Sequence, residues 1–513
     1  MSRLQQLTEV SLGQFQSLTS LTGTPTVAVL TNCPPLPPAP HPRAKRLLCA
    51  SRLVKSELVQ FILENHTAEH FPFLNTCEDT RHRTTFYNAL GRIMSSETTE
   101  NDGTRFEMFL APLGMVMGQL NEALAGGMAV RDNRAVKDTL RGAMRDIRGI
   151  LQSLTSKPSF SLMFDWMYPK FLPVLINGVQ IWYDDPTVAI PVLKCMAEFV
   201  TNKNSRLQMH TSSPNGILLF RETSKLLVAY GERIITVGQI DPTQLYPRRY
   251  KGITVCFQML KASLLGDYVN FGVFKLYGDE ALDCAFNIFF KLLVSVPLED
   301  LLAYPKLCKA YYQLLVAITR DHLVYIAGLD TAFFGFFCGS MLEGIKSVDV
   351  QICTQCCTSL DYLLTFIIVG RSKSRQDAVA MGLSQHMEGN LEFLTQTLMF
   401  LLNLIMFEDC KNQWSVSRPL LGLIILQPQI FSQGQHHILS QTPMHKQEAV
   451  AECFRNLMEG VEGTLSTKNR DKFTQNLAVF RRDINNFAKS AASQPVDGGA
   501  KLPITSGDAD MMQ

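Results

Sequence analysis

Apolar residues recur at helical spacing along most of the chain, from about residue 55 to residue 489. Short polar breaks separate one such segment from the next. Near the carboxyl end the spacing of three or four residues puts five side chains on one stripe of a helix: Phe473, Leu477, Phe480, Ile484 and Phe487. The pattern predicts an all-α protein built from amphipathic helices that pack through one face.

The segment 391–407 is apolar nearly all round. One stripe of the helix contains Leu391, Leu394, Leu398, Leu401, Leu402 and Ile405. Other faces of the same helix carry Phe393, Phe400 and Leu404. A helix of this kind is packed on both sides. The segment also contains Glu392 and is shorter than the about twenty apolar residues that a membrane helix needs. We therefore expect a buried helix and no membrane insertion.

Helix-start signals repeat along the chain. A capping residue precedes a first-turn proline at Asp185-Pro186, Ser213-Pro214 and Asp241-Pro242. With the apolar period, these signals predict helices near 55–65, 83–95, 104–124, 131–154, 159–182, 187–203, 214–235, 242–264, 279–296, 298–319, 331–347, 350–369, 389–407, 415–426, 445–463 and 468–489.

Neighbouring predicted helices form pairs of about 40–47 residues, the length of a HEAT repeat, and strand patterns are rare. The sequence thus predicts a HEAT-repeat-like α-solenoid, a superhelical array of antiparallel helix pairs over residues 55–489. Residues 1–54, with six prolines between Pro34 and Pro42, predict a largely disordered leader. Residues 490–513 predict a disordered tail, and the break between Gly370 and Gly389 an exposed loop.

Charge argues against nucleic acid as a partner. The chain has 48 Lys and Arg and 46 Asp and Glu, for a net charge of +2, whereas nucleic-acid binders concentrate basic charge. The short clusters at 43–46 and 248–251 are interpreted as solvated loop ends. Charged residues make up only 18% of the chain, below the usual about 25%, which suits contacts with other proteins.

Cysteine usage and the amino-terminal sequence indicate a reducing compartment. The chain has 13 Cys without framework spacing. The first twenty residues lack the continuous apolar stretch of a secretory signal. We therefore expect reduced thiols in the cytosol or nucleus.

Candidate chemistry is sparse. Cys353, Cys356 and Cys357 contain a CxxC spacing, but no second pair or His pair follows to complete a zinc site, so small thiols packing in a helix are favoured. His66 and His70 lack the Glu of the HExxH pattern and are interpreted as surface residues. No catalytic, cofactor-binding or metal-binding residue is predicted, and we expect neither enzymatic activity nor a cofactor.

Aromatic residues give two further expectations. The clusters Phe333-Phe334, Phe336-Phe337 and Phe289-Phe290 predict core packing between helix layers, with a groove for a partner's apolar side chains as the alternative. Trp414 follows an apolar helix and is expected to be buried. His436-His437 is expected to lie in a loop.

Several long stretches resemble one protein family. They are SSPNGILLFRE at 212–222, NFGVFKLYGD at 270–279, FEDCKNQWSVSRPLLGLIIL at 407–426, CFRNLMEGVE at 453–462 and TKNRDKFTQNLAVFRRD at 467–483. These are similar to the exportin-7 and Ran-binding protein seventeen family of the importin-beta superfamily. The resemblance runs from about Ser56 to Phe487 and covers the C-terminal half of such receptors.

The resemblance implies a nuclear export receptor, or karyopherin, that loads protein cargo together with Ran-GTP and shuttles between nucleus and cytoplasm. It also implies contacts with the Phe-Gly repeats of nucleoporins in the nuclear pore complex. The amino-terminal repeats that carry the family's Ran-binding region have no counterpart in the sequence, so we expect a fragment without them. The alternative is a helical-repeat scaffold that holds protein complexes without transport activity.

Overall fold

A computed structural model of the chain describes residues 56–75, 80–95, 102–208, 213–372, 377–407 and 412–492. These residues fold into helices and connecting turns, with no strand among them, so the all-α prediction is confirmed. The predicted leader and nearly all of the predicted tail lie outside the described residues. The division of the chain into leader, array and tail stays a prediction.

The helices before residue 265 are α1 (Glu57–Glu64), α2 (Arg81–Met94), α3 (Asp102–Leu124), α4 (Arg134–Ser153), α5 (Lys157–Met167), α6 (Leu172–Ile181), α7 (Pro186–Phe199), α8 (Asn215–Ile234), α9 (Pro242–Leu245) and α10 (Lys251–Leu264). A π-helical turn, Tyr246–Tyr250, joins α9 to α10.

The later helices are α11 (Gly272–Tyr277), α12 (Ala281–Val294), α13 (Leu298–Ala303), α14 (Pro305–Asp321), α15 (Leu323–Ala327), α16 (Thr331–Ile345), α17 (Val350–Ser372), α18 (Ala378–Glu388), α19 (Leu391–Phe407), α20 (Gln413–Leu426), α21 (Pro428–Gln441), α22 (Met444–Met458) and α23 (Thr467–Ala492).

The chain divides into two compact units, Met1–Ile318 and Thr319–Gln513. In the first, α2, α4, α7 and α10 contact one another in succession and form one layer. The helices α3, α6, α8 and α12 do the same and form a second layer. Contacts of α3 with α4 and of α6 with α7 join the layers. This alternation is the helix-pair repeat that the sequence predicts.

The second unit uses the same plan. One layer contains α17, α20 and α23 in succession, and the opposite layer contains α16 and α19. The helices α21 and α22 follow, with α22 packed on α23. On α23 the predicted stripe is buried at Phe473, Leu477, Phe480 and Ile484. On α19 most of the predicted stripe is buried, but Leu391 is exposed.

Proline divides three of the predicted helices. The prediction of one helix over 159–182 is wrong, because α5 ends at Met167 and α6 begins at Leu172, with Pro169 between them. The predicted helix 298–319 is likewise divided before Pro305. In the predicted helix 242–264, Pro247 lies in the π-helical turn. The basic cluster at 248–251 therefore lies in helical structure, and its interpretation as a loop end is wrong.

Short helices were missed by the apolar period. The segment between Gly370 and Gly389 is not one exposed loop, because α18 occupies most of it and Asp377 caps α18 by accepting from Val379 N at 3.0 Å. The helices α11, α15 and α21 were also not predicted. His436 and His437 lie in α21, so their placement in a loop is wrong.

Two of the three predicted caps at proline-started helices are confirmed. Asp185 Oδ1 accepts from the backbone N of Thr187 at 2.8 Å, and Asp241 Oδ1 accepts from that of Thr243 at 2.8 Å. The prediction of Ser213 as the cap before a first-turn proline is wrong, because α8 begins at Asn215, after Pro214, although Ser213 Oγ accepts from Asn215 N at 3.3 Å. These bonds satisfy N–H groups that the first helical turn leaves without partners.

One described helix is apolar and long enough to span a membrane by length and composition. It is α17, over Val350–Arg371, and α18 and α19 would also qualify together if the 80° bend between them were disregarded. Core helices pass the same test. In α17, Leu360, Leu363, Leu364 and Ile367 are fully buried, and the helix packs on α16, α18 and α20. The expectation of no membrane insertion stays a prediction.

Arg206 ties together the ends of two helices in the first unit. Its side chain is 1% exposed and donates to the carbonyl oxygens of Leu151, Leu154, Glu198 and Thr201. Four of the carbonyls near the ends of α4 and α7 are therefore satisfied by one guanidinium group. Such carbonyls have no partner within their own helix.

We expect Arg206→Met to lower the free energy of unfolding by about 3 kcal/mol, because it leaves buried carbonyl groups without donors. Urea denaturation followed by circular dichroism measures the loss. Arg134→Met is the matched control, since the Arg134 side chain is 87% exposed, and it should cost less than about 0.5 kcal/mol. Equal losses for the two variants would contradict the structural role of Arg206.

Candidate protein-binding surfaces

The cysteine group of α17 is part of the core. Cys353, Cys356 and Cys357 are all buried, which confirms the prediction of thiols packing within a helix. Asn412 Nδ2 lies 3.5 Å from Cys353 Sγ. A hydrogen bond with Cys357 lowers the pKa of Cys353 to about 7, against the effect of burial. Within the described ranges, no group of three or more His, Cys, Asp or Glu could hold a metal ion.

The placement of His66 on the surface is wrong. Its ring is 1% exposed, Nε2 donates to the carbonyl oxygen of Phe109 at 2.8 Å, and Nδ1 lies 3.2 Å from the hydroxyl of Tyr87. Burial lowers the pKa of this imidazole, and the Phe109 carbonyl opposes the shift. His70 is partly exposed, so the two rings do not share a site. His66 is a core histidine with satisfied nitrogens.

The aromatic clusters mainly serve the core, as expected. Phe334, Phe337 and Phe289 are buried, and Phe334 stacks on His386 with ring centroids 4.5 Å apart. The other three rings, those of Phe290, Phe333 and Phe336, are partly exposed. The clusters therefore pack between helices through half of their rings, and the other half keep part of their surface accessible.

Trp414 is exposed, contrary to the prediction that it is buried. Its relative exposure is 63%. The residue lies in the first turn of α20, whose buried face contains Val416, Leu420 and Leu423. The indole therefore lies on the opposite side, where the guanidinium of Arg418, one turn later, is 4.5 Å from the ring centroid. The apolar helix before Trp414 predicts a buried indole, but the position of Trp414 around the axis of α20 places it on the exposed face of that helix.

We expect Trp414→Ala to lower the free energy of unfolding by less than about 1 kcal/mol, because it removes an exposed cation–π contact and little buried area. Leu420→Ala, in the same helix but fully buried, should cost about 2–5 kcal/mol. Urea denaturation of both variants tests this difference. A loss of several kcal/mol for Trp414→Ala would place the indole in the core.

An apolar groove opens in the second unit between α20, α21 and α22. Its volume is about 640 Å³, within the usual size of small-ligand pockets. Apolar side chains form most of the walls, with polar residues at the edge; the lining includes Ile424, Ile425, Phe431, Leu439, Phe454 and Met458, then Ser432, Gln435 and Glu462. Phe431 and Phe454 lie edge to face, with centroids 6.2 Å apart. The groove can accept an apolar side chain from another molecule.

The fold and these surfaces define the class of protein: an all-α helical-repeat protein whose described features are suited to binding other proteins. No protein-family model matches the chain. It is 46% identical over 455 residues to Exportin-7-B of Xenopus laevis, covering 86% of this chain and 42% of the relative. It is 45% identical over 452 residues to Ran-binding protein 17 of Homo sapiens, covering 86% of this chain and 41% of the relative.

A third relative, Ran-binding protein 16 of Drosophila melanogaster, is 40% identical over 460 residues, covering 87% of this chain and 42% of the relative. Over these residues the chain is homologous to exportin-7 and Ran-binding protein 17, which confirms the resemblance. The chain spans about two fifths of the length of the curated relatives it matches.

Proposed function

We propose that the chain is part of a nuclear export receptor that carries protein cargo out of the nucleus together with Ran-GTP. The observation that carries this proposal is the 46% identity over 455 residues to Exportin-7-B. The names of other relatives identify them as Ran-binding proteins, which supports Ran as a partner. The two-layer helical array supports a binding role, because repeat arrays offer extended surfaces to other macromolecules.

The physical basis of such transport is linkage between two ligands. If cargo and Ran-GTP both favour the same arrangement of the repeats, each raises the affinity of the array for the other by the same factor. Hydrolysis of GTP on Ran then removes one ligand and lowers the affinity for cargo. The chain itself needs no catalytic residue for this cycle. Its distribution would be nuclear and cytoplasmic, with passage through the nuclear pore complex.

We expect the longer receptor of which the chain is proposed to be a part to bind Ran loaded with a non-hydrolysable GTP analogue at least about tenfold more tightly than Ran loaded with GDP. The whole receptor is used because the resemblance places the family's Ran-binding region in amino-terminal repeats that have no counterpart in the chain. Biolayer interferometry with the immobilised receptor measures both affinities. A fluorescent fusion of the receptor should also move between the two nuclei of a heterokaryon. Equal binding of both Ran forms together with a stationary fusion would contradict the proposal and leave a scaffold without transport activity as the better account.

Phe-Gly nucleoporins are proposed as partners of the apolar groove in the second unit. A phenylalanine side chain would find apolar walls there, including Phe431 and Phe454, and could bury its ring among them. Ala451 lines the groove and is partly exposed. A charge at Ala451 would therefore be placed beside the phenylalanine ring and would oppose its desolvation.

We expect Ala451→Asp to weaken binding of a Phe-Gly repeat peptide by about tenfold, because a carboxylate in the groove must be desolvated. Fluorescence anisotropy of a labelled peptide measures the change. Val479→Asp is the matched control: Val479 is 42% exposed and lies on α23, outside the groove lining. If both variants bind the peptide equally well, the groove is not its site.

A further inference from the structure

The first unit carries basic side chains on four helices that follow one another in space. Arg145 and Arg148 lie on α4, Lys194 on α7, Lys251 on α10 and Lys306 on α14. We call these five residues the basic ladder. The helices α4, α7 and α10 contact one another in this order. The ladder therefore crosses one layer of the first unit from helix to helix.

The last step of the ladder rests on contacts between α10 and α14. The rings of Phe257 and Tyr311 lie 6.3 Å apart, and Lys261 Nζ donates to Gln313 Oε1 at 2.8 Å. Burial lowers the pKa of Lys261, and the nearby charge of Lys309 lowers it further. Lys261 and Lys309 thus form a pair of basic groups between the same two helices, α10 and α14.

Positive charge accumulates on this layer because its helices contain few acidic residues, and each of those already forms an ion pair. In α4, α7, α10 and α14 up to Ile318 there are ten Lys and Arg but only three Asp and Glu. Asp138 pairs with Arg134 and Arg141, Asp146 with Arg83, and Glu198 with Lys203 and Arg206. The nitrogen-to-oxygen distance is 3.0 Å between Arg141 and Asp138 and 3.6 Å between Arg206 and Glu198, and all three acids are engaged in ion pairs.

Four members of the ladder lack such partners. Arg148, Lys194, Lys251 and Lys306 make no ion pair with any residue that the structure describes. The buried Nε of Arg148 has no hydrogen-bond partner among them either. Burial lowers the pKa of Lys194 to about 8, and Arg148, Lys251, Arg145 and Lys306 add to the shift. Basic groups on α4, α10 and α14 therefore lie close enough to Lys194 to disfavour its charge, an arrangement that an anionic ligand would stabilise.

The surroundings favour carboxylates over nucleic acid. Aromatic side chains on the same helices are buried, including Phe199, Phe257, Tyr311 and Tyr312. They cannot offer the stacking faces on which single-stranded nucleic acids rely. Neighbouring helix axes lie about 8–10 Å apart, and three residues of extended chain span about 10 Å. An extended segment with an acidic residue at about every third position would match the ladder.

We infer that the basic ladder is a docking surface for an extended acidic segment of a partner protein. This inference goes beyond the proposed export function and does not depend on Ran or on the apolar groove. Each carboxylate of the segment would lie near the basic group of one helix. Binding would relieve the repulsion among Arg148, Lys194, Lys251 and Lys306.

The probe is a labelled peptide of about twenty residues with Glu at every third position and Gly or Ser elsewhere. Fluorescence anisotropy with the whole chain at about 50 mM salt measures its affinity. A peptide with Gln in place of Glu should bind at least about tenfold more weakly. Lys194→Glu, Lys251→Glu and Lys306→Glu, combined in one variant, should weaken binding of the Glu peptide by at least about tenfold.

The matched control combines Lys157→Glu, Lys275→Glu and Lys291→Glu, which reverse three exposed lysines off the ladder and should change the affinity less than about twofold. If the ladder variant does not fold, as judged by circular dichroism, its Lys→Gln counterpart replaces it and should bind about fivefold more weakly.

Three outcomes would overturn the inference. The Glu and Gln peptides could bind equally, or the control variant could lose as much affinity as the ladder variant. An oligothymidylate of similar length could also bind more tightly than the Glu peptide, which would make the surface a nucleic-acid site.

Discussion

The structure depends on the burial of helices between two neighbours in the same layer. In α7, Val188, Val192, Leu193 and Met196 are all at most 1% exposed, and the helix packs on α4, α6 and α10. No single partner could cover so much apolar surface. Each helix pair is therefore stabilised by the pair before it and the pair after it, and the free energy of folding is close to a sum of such neighbour contacts.

Buried polar groups add a second constraint, because they fix how neighbouring helices are placed along one another. Arg206 holds the carboxyl ends of α4 and α7 through carbonyl oxygens, and Arg83 on α2 pairs with the buried Asp146 on α4. Burial raises the pKa of Asp146 to about 6, although Arg83 opposes the shift. In the second unit, Arg470 on α23 donates to Asp361 on α17 at 2.8 Å. Apolar contacts tolerate a small shift of one helix along its neighbour, whereas these hydrogen bonds depend on distance and angle and do not.

Long helices were predictable from the sequence because their apolar period extends over several turns and their caps have clear signals. The short helices α11 and α15 contain too few turns to show a period. His66 and Trp414 show why the role of a single residue was harder to predict. His66 lies beyond the end of α1, where a carbonyl oxygen from α3 happens to meet its ring. The prediction that Trp414 is buried rests on its position after an apolar helix, but its burial depends on which face of α20 meets α17 and α23.

The groove and the basic ladder could not be predicted for a related reason: their residues are assembled by contacts between repeats. Arg148, Lys194, Lys251 and Lys306 are about fifty residues apart in sequence, and each alone resembles an ordinary surface residue. A net charge of +2 conceals their accumulation on one layer, because the acids of the same helices are engaged in pairs.

This arrangement has a consequence for binding. A ligand that contacts several successive helices has an affinity that depends on the spacing between them, since each charge must reach its own partner. Such a ligand favours one spacing of the repeats over others, and any second ligand that favours the same spacing binds more tightly. In an array held together by neighbour contacts, a small change at each interface is enough to produce this coupling. The same packing that stabilises the fold therefore provides a physical route by which two partners of the chain can influence each other.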